Sequence, residues 1–379
     1  MALLGKNLTQ SRKGAEAAEK VRLGEVCSAS TSQLRQKDVE NNSGTFPIYG
    51  ASGQIKNVDF YQIDVQGLGV VKDGAGVGRV MRLPPFSSVI GTVMIIRPQS
   101  RVDCGFLYYA LVKQNLGTLY TGATIPHLYF KDFKDRRINL PPLPEQKRIA
   151  ATLDRICELM KNAETRLAKL DLLVKSRFVE MFGDMSSTRF PIQTIGSIAK
   201  EIRYGTSRPA VEGGKYIYLR MNNVTQDGRV DLTNIKRISV PDSEVEKCIV
   251  RRGDILFNRT NSKELIGKTC MFDFDEPMII AGYLIRVRLE DFVLPQYVSM
   301  FMNMPSMKSK LRYMAKGAVN QANISAEELK TIKLPIPPIG LQREFAAFVA
   351  KVDKLKEIAK RSAEQMDVLY RSKLQEYFG

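Results

Sequence analysis

The chain has one histidine in 379 residues, five scattered cysteines and no run of 18 or more apolar residues. A single histidine, His127, excludes multi-histidine metal sites and weakens any catalytic triad. The cysteines (27, 104, 157, 248 and 270) are odd in number and form no C-x-x-C pair. Reduced thiols are therefore expected rather than disulfides or a zinc centre. Without a long apolar run no membrane span is expected. The opening MALLGKNLTQSRKG lacks the apolar core of a signal peptide, so the expected location is cytoplasmic.

The familiar catalytic motifs are missing too. GAGVGR (74–79) has glycines at 74, 76 and 78, which is not the G-x-G-x-x-G spacing. It lies between VVKD and VMRL and reads as a hairpin loop rather than a phosphate turn. IGKT (266–269) mimics the end of a P-loop, but Ser262 stands where the first glycine is needed, and a strand follows. No N-P-P-[YF] or D-P-P-[YF] run and no G-x-S-x-G elbow is present. Asp254, in RRGDILF, reads as a turn former ahead of a strand. Catalysis by this chain alone is not expected, and neither is a metal or cofactor site of its own.

What is present is charge and repetition. Lys and Arg outnumber Asp and Glu 57 to 40, a net +17. Residues 1–140 carry +7, 141–185 +1, 186–333 +7 and 334–379 +2. The excess sits in two separate blocks, as a polyanion partner touched in two places would require; a generally basic surface is the blander reading. RINLPPLPEQKRIAATL (137–153) lies over IKLPIPPIGLQREFAAFV (332–349) at an offset of 196. Pro141, Pro142, Gln146, Ala150 and Ala151 match Pro337, Pro338, Gln342, Ala346 and Ala347. KSRFVEMFG (175–183) repeats as RSKLQEYFG (371–379), and TGATIPHLYFKDFKD (121–135) resembles KGAVNQANISAEELK (316–330).

Each half ends in a helix whose apolar residues are spaced 4-3-4-3. In the first they are Ile149, Leu153, Ile156, Met160, Ala163, Leu167, Leu170 and Val174. In the second they are Phe345, Val349, Val352, Lys356, Ala359, Ala363, Met366 and Tyr370, where Leu355 and Ile358 are expected to share the seam around Lys356. Two such helices of roughly 34 residues, about 50 Å long, suit an antiparallel coiled coil; two amphipathic helices packed on their own domains are the alternative. The prolines are tolerated because they precede or open the helix. The remaining blocks show short β-rich runs (LGVVKDGAGVGRVMRL, SVIGTVMIIRP, GDILFNRT, MIIAGYLIRVRL) and two apolar segments that read as helices (GFLYYALVKQN, PQYVSMFMNMPSMKSKLRY), so each is mixed α+β.

IPHLYFKDFKDRRINLPPLPEQKRIAATLD and NQANISAEELKTIKLPIPPIGLQREFAAFV resemble the specificity subunits of type I restriction–modification systems, and the resemblance spans nearly the whole chain. FPIYGASGQI, VKDGAGVGRV, YLRMNNVTQDGRVDL and RRGDILFNRTNSKELIGKT resemble that family's target-recognition domains. The resemblance implies an α+β fold: target-recognition domains at 1–140 and 185–333, spacer helices at 141–184 and 334–379, and a pseudo-twofold repeat. It implies a bipartite double-stranded DNA target, two adenine-N6 methyltransferase subunits and motor–endonuclease subunits. S-adenosylmethionine, ATP and Mg would then belong to those partners only. A stand-alone coiled-coil nucleic-acid scaffold and an unrecognised nuclease are the rival readings. One departure is that Glu145 becomes Leu341, so the contact Glu145 makes is expected to lack a symmetric twin.

Base and phosphate contacts call for Arg, Lys, Asn, Gln, Ser, Thr or Tyr on loops. In the first block the candidates are Tyr49, Ser52, Gln54, Lys56, Lys72, Arg79, Thr124 and His127. In the second they are Arg208, Arg220, Asn222, Asn223, Arg259, Asn261, Ser262, Lys263, Asn320, Gln321 and Asn323. Each taken singly also reads as a solvated loop side chain.

Overall fold

A computed structural model of the chain describes residues 18–122, 126–184, 189–318 and 321–379. It divides into two compact units, Met1–Glu164 with Arg361–Gly379, and Thr165–Lys360. Each unit holds part of both long helices.

In the first unit an antiparallel sheet runs in the order Cys27–Thr31, Val93–Pro98, Gly67–Val71, Val80–Leu83. Its inner strands read LGVV and VMII, continuous rather than alternating, because both faces are covered. On one face Leu68, Val70, Met94 and Ile96 pack with Phe106, Leu107 and Leu111 of the helix Cys104–Lys113. On the other Val93 and Ile95 pack with Ile63, Leu83 and Val89. A smaller sheet runs Gly53–Val58, Phe46–Gly50, Ser88–Val89, its last pairing parallel. The ribbon of Glu19–Arg22 with Arg137–Leu140 closes the block just before Pro141.

The second unit repeats this plan. Its main sheet runs Ala199–Tyr204, Leu284–Leu289, Ile255–Asn258, Thr269–Met271, again antiparallel. The smaller sheet runs Lys236–Ile238, Tyr216–Leu219, Met278–Ile280, Ile249–Val250, with one parallel pairing. Ile192–Thr194 with Lys333–Pro335 is the closing ribbon. The segment read as a single apolar stretch forms two helices, Pro295–Met302 and Pro305–Met314, because Pro305 bars Met304 from continuing the first.

The long helices are Leu143–Phe182 and Ile339–Phe378, 40 residues each. At 1.5 Å per residue each is about 60 Å long, more than the heptads alone mark, because helical geometry begins at the prolines. Within the first unit Ile149, Leu153 and Ile156 share a core with Met366, Tyr370 and Leu374. Within the second, Val174 and Phe178 share one with Phe345, Val349 and Val352. The start of one helix lies on the end of the other in both, so the pairing is antiparallel. The expectation for Leu355 and Ile358 is corrected: they are 52% and 66% exposed. Lys356 keeps the seam position instead, with its ammonium 2.5 Å from Asp171 and 3.7 Å from Asp353. A seven-residue period fixes which side chain faces inward, and a lysine with a long apolar stem meets that demand when a carboxylate receives its head.

The repeated glutamine explains the repeated prolines. Gln146 donates from Nε2 to the carbonyls of Arg101 (3.1 Å) and Pro141 (2.8 Å) and accepts from the Asp103 N–H (2.8 Å). Gln342 donates to Phe292 (3.2 Å) and Pro337 (2.7 Å) and accepts from the Leu294 N–H (2.7 Å). Both are buried. Pro141 and Pro337 lie just ahead of the helices, where the first helical N–H groups go to Pro142 and Pro338 instead, and each glutamine satisfies the carbonyl left over while tying two more groups of the block to the helix. Glu145 instead pairs with Arg148 (2.6 Å), whose guanidinium lies 5.9 Å from the Tyr377 ring centre. Leu341 packs into the second core, and Glu344, at the place of Arg148, pairs with Arg177 (2.8 Å). The Glu145 contact has no twin in the second half.

Candidate nucleic-acid interface

In each unit a loop after an inner strand of the main sheet meets the segment that precedes the closing ribbon. In the first unit the loop is 72–79, where Gly74, Gly76 and Gly78 all take left-handed φ values of 80°, 89° and 82°. This is the hairpin expected of GAGVGR. At Gly78 a Cβ would fall 2.1 Å from the Gly117 nitrogen, so the close approach as well as φ requires glycine. The Leu128 N–H donates to the Lys72 carbonyl (2.8 Å) and the Gly74 N–H to that of Pro126 (3.2 Å). In the second unit the loop is 259–268, and the Ile324 N–H donates to the Arg259 carbonyl (2.9 Å). The equivalence is residue by residue: Lys72 with Arg259, Leu128 with Ile324.

His127 sits on this ribbon, bridged antiparallel to both Asp73 and Thr121. Its Nδ1 is 2.7 Å from Asp73 Oδ1, and Lys72 Nζ is 2.9 Å from Asp73 Oδ2. Burial would raise the Asp73 carboxyl, but His127 and Lys72 outweigh it and hold it below the ordinary range. Tyr129 stacks beside His127 at 6.5 Å between ring centres, with Lys131 5.3 Å above the Tyr129 ring. Arg79 is exposed on the same loop.

In the second unit Asn323 pairs antiparallel with Thr260 and with Lys316. Arg259 lies over the Tyr204 ring at 4.9 Å. Asn261 donates to Asn258 Oδ1 (3.0 Å) and accepts from the Ser262 N–H (2.9 Å), which shapes the turn. Lys263 and Gln321 are exposed. Lys268 donates to the Met221 carbonyl (2.7 Å), tying the turn 220–223 to the loop. Lys308, from the helix Pro305–Met314, donates to the Gly267 carbonyl (2.6 Å), and burial pushes its ammonium down to about 8, with Arg312 and Lys268 adding to the effect. Lys268 and Lys308 meet carbonyls rather than carboxylates, which suits an anionic ligand, whereas Lys316 on the ribbon pairs with Glu328 (2.7 Å).

Other candidates fall elsewhere. Thr124 and Asn320 lie outside the described residues. Asn223 is corrected: it is buried, its Oδ1 accepts from the Arg220 N–H (2.9 Å), and its Nδ2 donates to the Asp231 carbonyl (2.8 Å). Asparagine is the residue that closes such turns on itself, so its type misleads. Its neighbour Asn222 is exposed, while Arg220 is half-buried and reaches the Asn234 carbonyl (3.0 Å). Arg208 forms a two-point pair with Glu244 (2.9 and 2.6 Å), which neutralises it. The Tyr49 ring packs with Ile63, Val89 and Val93. Ser52 is exposed in the turn 50–53, and Gln54 bonds Asn57 (2.9 Å). Lys56 is held by the carbonyls of Val39 (3.1 Å) and Glu40 (2.9 Å), away from the glycine loop.

Among the described residues no group of three or more His, Cys, Asp or Glu could hold a metal, and no helix is long and apolar enough to cross a membrane. All five cysteines are free thiols.

The family model for the type I restriction modification DNA specificity domain matches residues 16–172 and again 190–366. The chain belongs to that family. Among curated relatives, the specificity subunit of the type I restriction enzyme EcoKI of Escherichia coli K12 is 26% identical over 72% of this chain. The match spans 62% of that relative's length. The MjaVIII specificity subunit of Methanocaldococcus jannaschii is 24% identical over 78% of this chain and 74% of its own. The fold is also that of the S subunit from M. genitalium (TM-score 0.63, 15% identity, 98% of both chains). A chain from a type I system described for its complex assembly and conformational transition superposes with a TM-score of 0.58 at 18% identity, covering 95% of this chain and 97% of its own. The two matched stretches correspond to the two sheet-bearing blocks, each with most of the helix that follows it.

Within this specificity fold, several residues of the two loop clusters escaped the sequence reading: Asp73, Tyr129, Lys131, Thr260, Lys268 and Lys308. An offset of 196 carries His127 onto Asn323, but the match of 121–135 with 316–330 runs at 195 and sets His127 against Ala322, so only the ribbon hydrogen bonds reveal the equivalence. Nothing in the sequence places Lys308 beside Gly267.

Proposed function

We propose that the chain is the DNA-specificity subunit of a type I restriction–modification complex, with recognition domains at 1–140 and 185–333 and spacers at 141–184 and 334–379. Each recognition domain reads one part of a split double-stranded target through its loop cluster. Two methyltransferase subunits modify adenine N6 at the two parts, and motor–endonuclease subunits carry cleavage. S-adenosylmethionine, ATP and Mg act in those partners, in the cytoplasm, and this chain is not catalytic. The observation that carries the reading is the duplication: the same two-sheet frame, closing ribbon and glutamine clamp occur twice, each with a cation-rich loop cluster.

The helices support a paired partner. Leu159, Leu172 and Leu173 are 37%, 61% and 46% exposed, and their counterparts 196 residues on, Leu355, Val368 and Leu369, are 52%, 67% and 38% exposed. Three aliphatic side chains left in water at equivalent places suit two copies of one partner docking alike.

Mapping methylated adenine across the host genome tests the reading. Deleting this gene is expected to abolish one split motif with a fixed spacer. If every methylated motif survives, the chain is a stand-alone scaffold instead. Adding one heptad to both helices is expected to change the spacer or abolish activity while leaving both half-site sequences as they were.

A further inference from the structure

His127 and Asn323 are the same position of the duplicated fold, filled by different chemistry. Each is the central residue of a three-strand ribbon, His127 between Asp73 and Thr121, Asn323 between Thr260 and Lys316. Each is followed by the residue whose N–H fastens the ribbon to the loop, Leu128 to Lys72 and Ile324 to Arg259. Each leans on the residue opposite: His127 Nδ1 on Asp73 Oδ1 at 2.7 Å, Asn323 Oδ1 on Thr260 Oγ1 at 3.4 Å. Both remain partly open to solvent, the His127 side chain at 42%.

The supporting residues set what each presents. An ionised carboxylate only accepts, so the proton of a neutral His127 lies on Nδ1, and Nε2 is left as a bare acceptor. Asn323 has its carbonyl engaged by the Thr260 hydroxyl, so its Nδ2 is left as a donor. No residue among those described bonds either free atom. With the His127 ring neutral, the two recognition domains therefore show opposite hydrogen-bond polarity at one equivalent point.

We propose that this point is a specificity-determining position: His127 reads an exocyclic amino group of adenine or cytosine in one half-site, and Asn323 reads a base acceptor (N7, O6 or O4) in the other. Asp73 and Thr260 are positioning residues that fix the polarity. The proposal rests on the chain being a DNA-specificity subunit.

The full chain with its methyltransferase partners is measured for equilibrium binding to a set of duplexes in which each half-site base pair is changed in turn. His127→Leu is expected to lower discrimination at one base pair of one half-site by about tenfold, leaving the other half-site untouched; a lost hydrogen bond of that kind is worth roughly this factor. His127→Gln, which retains an acceptor, is expected to keep most of it. Asn323→Leu should act at one base pair of the opposite half-site. Asp73→Asn, which removes the obligate acceptor opposite Nδ1, should weaken the same base pair as His127→Leu. If the variants weaken binding uniformly over all duplexes, the position contacts phosphate or only supports the loop, and the proposal is overturned while the specificity reading stands. If wild-type complex shows no preference for any duplex, the specificity reading itself falls.

Discussion

In the second unit four aromatic rings meet at the foot of the long helices. Among Phe178, Phe182, Tyr297 and Phe345 five ring pairs have centroids 5.0 to 5.6 Å apart, and all four rings are buried. The corresponding positions of the first unit are Leu374, Phe378, Phe106 and Ile149, and a single ring pair remains, Phe106 with Phe378 at 5.0 Å. Leu374 and Phe378 are only half-buried. Yet the glutamine clamp beside these residues is the same in both units, bond for bond. The filling varies while the polar frame does not. Apolar packing is non-directional and many side chains satisfy it, whereas a buried N–H and two buried carbonyls need partners in fixed directions.

The contrast in filling can be broken by truncation. Phe178→Ala is expected to cost about 4 kcal/mol, because it empties the centre of a close-packed cluster. Leu374→Ala, at the same place in the first unit, should cost about 2 kcal/mol. Denaturant unfolding followed separately for the two units decides it, and equal costs would dissolve the distinction. The shared clamp gives the opposite expectation. Gln146→Leu and Gln342→Leu should each cost about 3 kcal/mol, alike in both units, because each strands the same three backbone groups. A large difference in denaturation midpoint between the two variants would show that the clamps are not equivalent.

A half-buried cation distinguishes the second unit further. Lys308 is held down to about 8, chiefly by burial, whereas the unfolded chain keeps the ordinary lysine value. The penalty is fully present below pH 8, and between about 8 and the ordinary value the unfolded state binds more protons. Stability of the second unit should therefore rise with pH across that window, and Lys308→Met should remove the rise. Thermal melts at pH 7 and pH 9.5 check it; a slope that survives the substitution assigns the effect elsewhere. The smallest contrast lies where each block touches its helix. Arg82 pairs with Asp154 (3.1 Å for the longer bond) and stacks on Tyr108 at 4.7 Å. Arg229 meets Asp353 at 3.3 Å in the open. Arg82→Ala should cost about 1 kcal/mol and Arg229→Ala about 0.3 kcal/mol. Chemical denaturation of both variants ranks them, and a reversed order would make the exposed pair the stronger.

How much of this was legible depends on range. The long helices were, because a seven-residue period is written in neighbouring residues, and the antiparallel partner followed from the duplication. Lys356 shows the limit: the period marked its position, but the carboxylate that receives it, Asp171, lies far back in the chain. The inner strands showed as apolar runs between glycine-rich turns. The loop clusters were legible only in part. Residue type marks Lys72, Arg79, His127, Arg259 and Asn261, and the fold sets the first three in one loop cluster and the other two in the second. Residue type equally marks Asn223 and Arg208, but the first closes its own turn and the second meets Glu244, 36 residues on. Residue type tells what a side chain can bond, not whether the fold has already used it.

The clamp has one more consequence. Gln146 and Gln342 grip their blocks only by main-chain atoms: the carbonyls of Arg101 and Phe292, and the N–H groups of Asp103 and Leu294. The side chains at those places are unrelated in the two units, and the grip does not notice. A clamp blind to side chains accepts a block of quite different sequence at this point, provided its main chain arrives at the same spot, while the pairs Arg82–Asp154 and Arg229–Asp353 remain particular to each block. The clamp thus fixes where a block sits on its helix without constraining the sequence the block carries at that point.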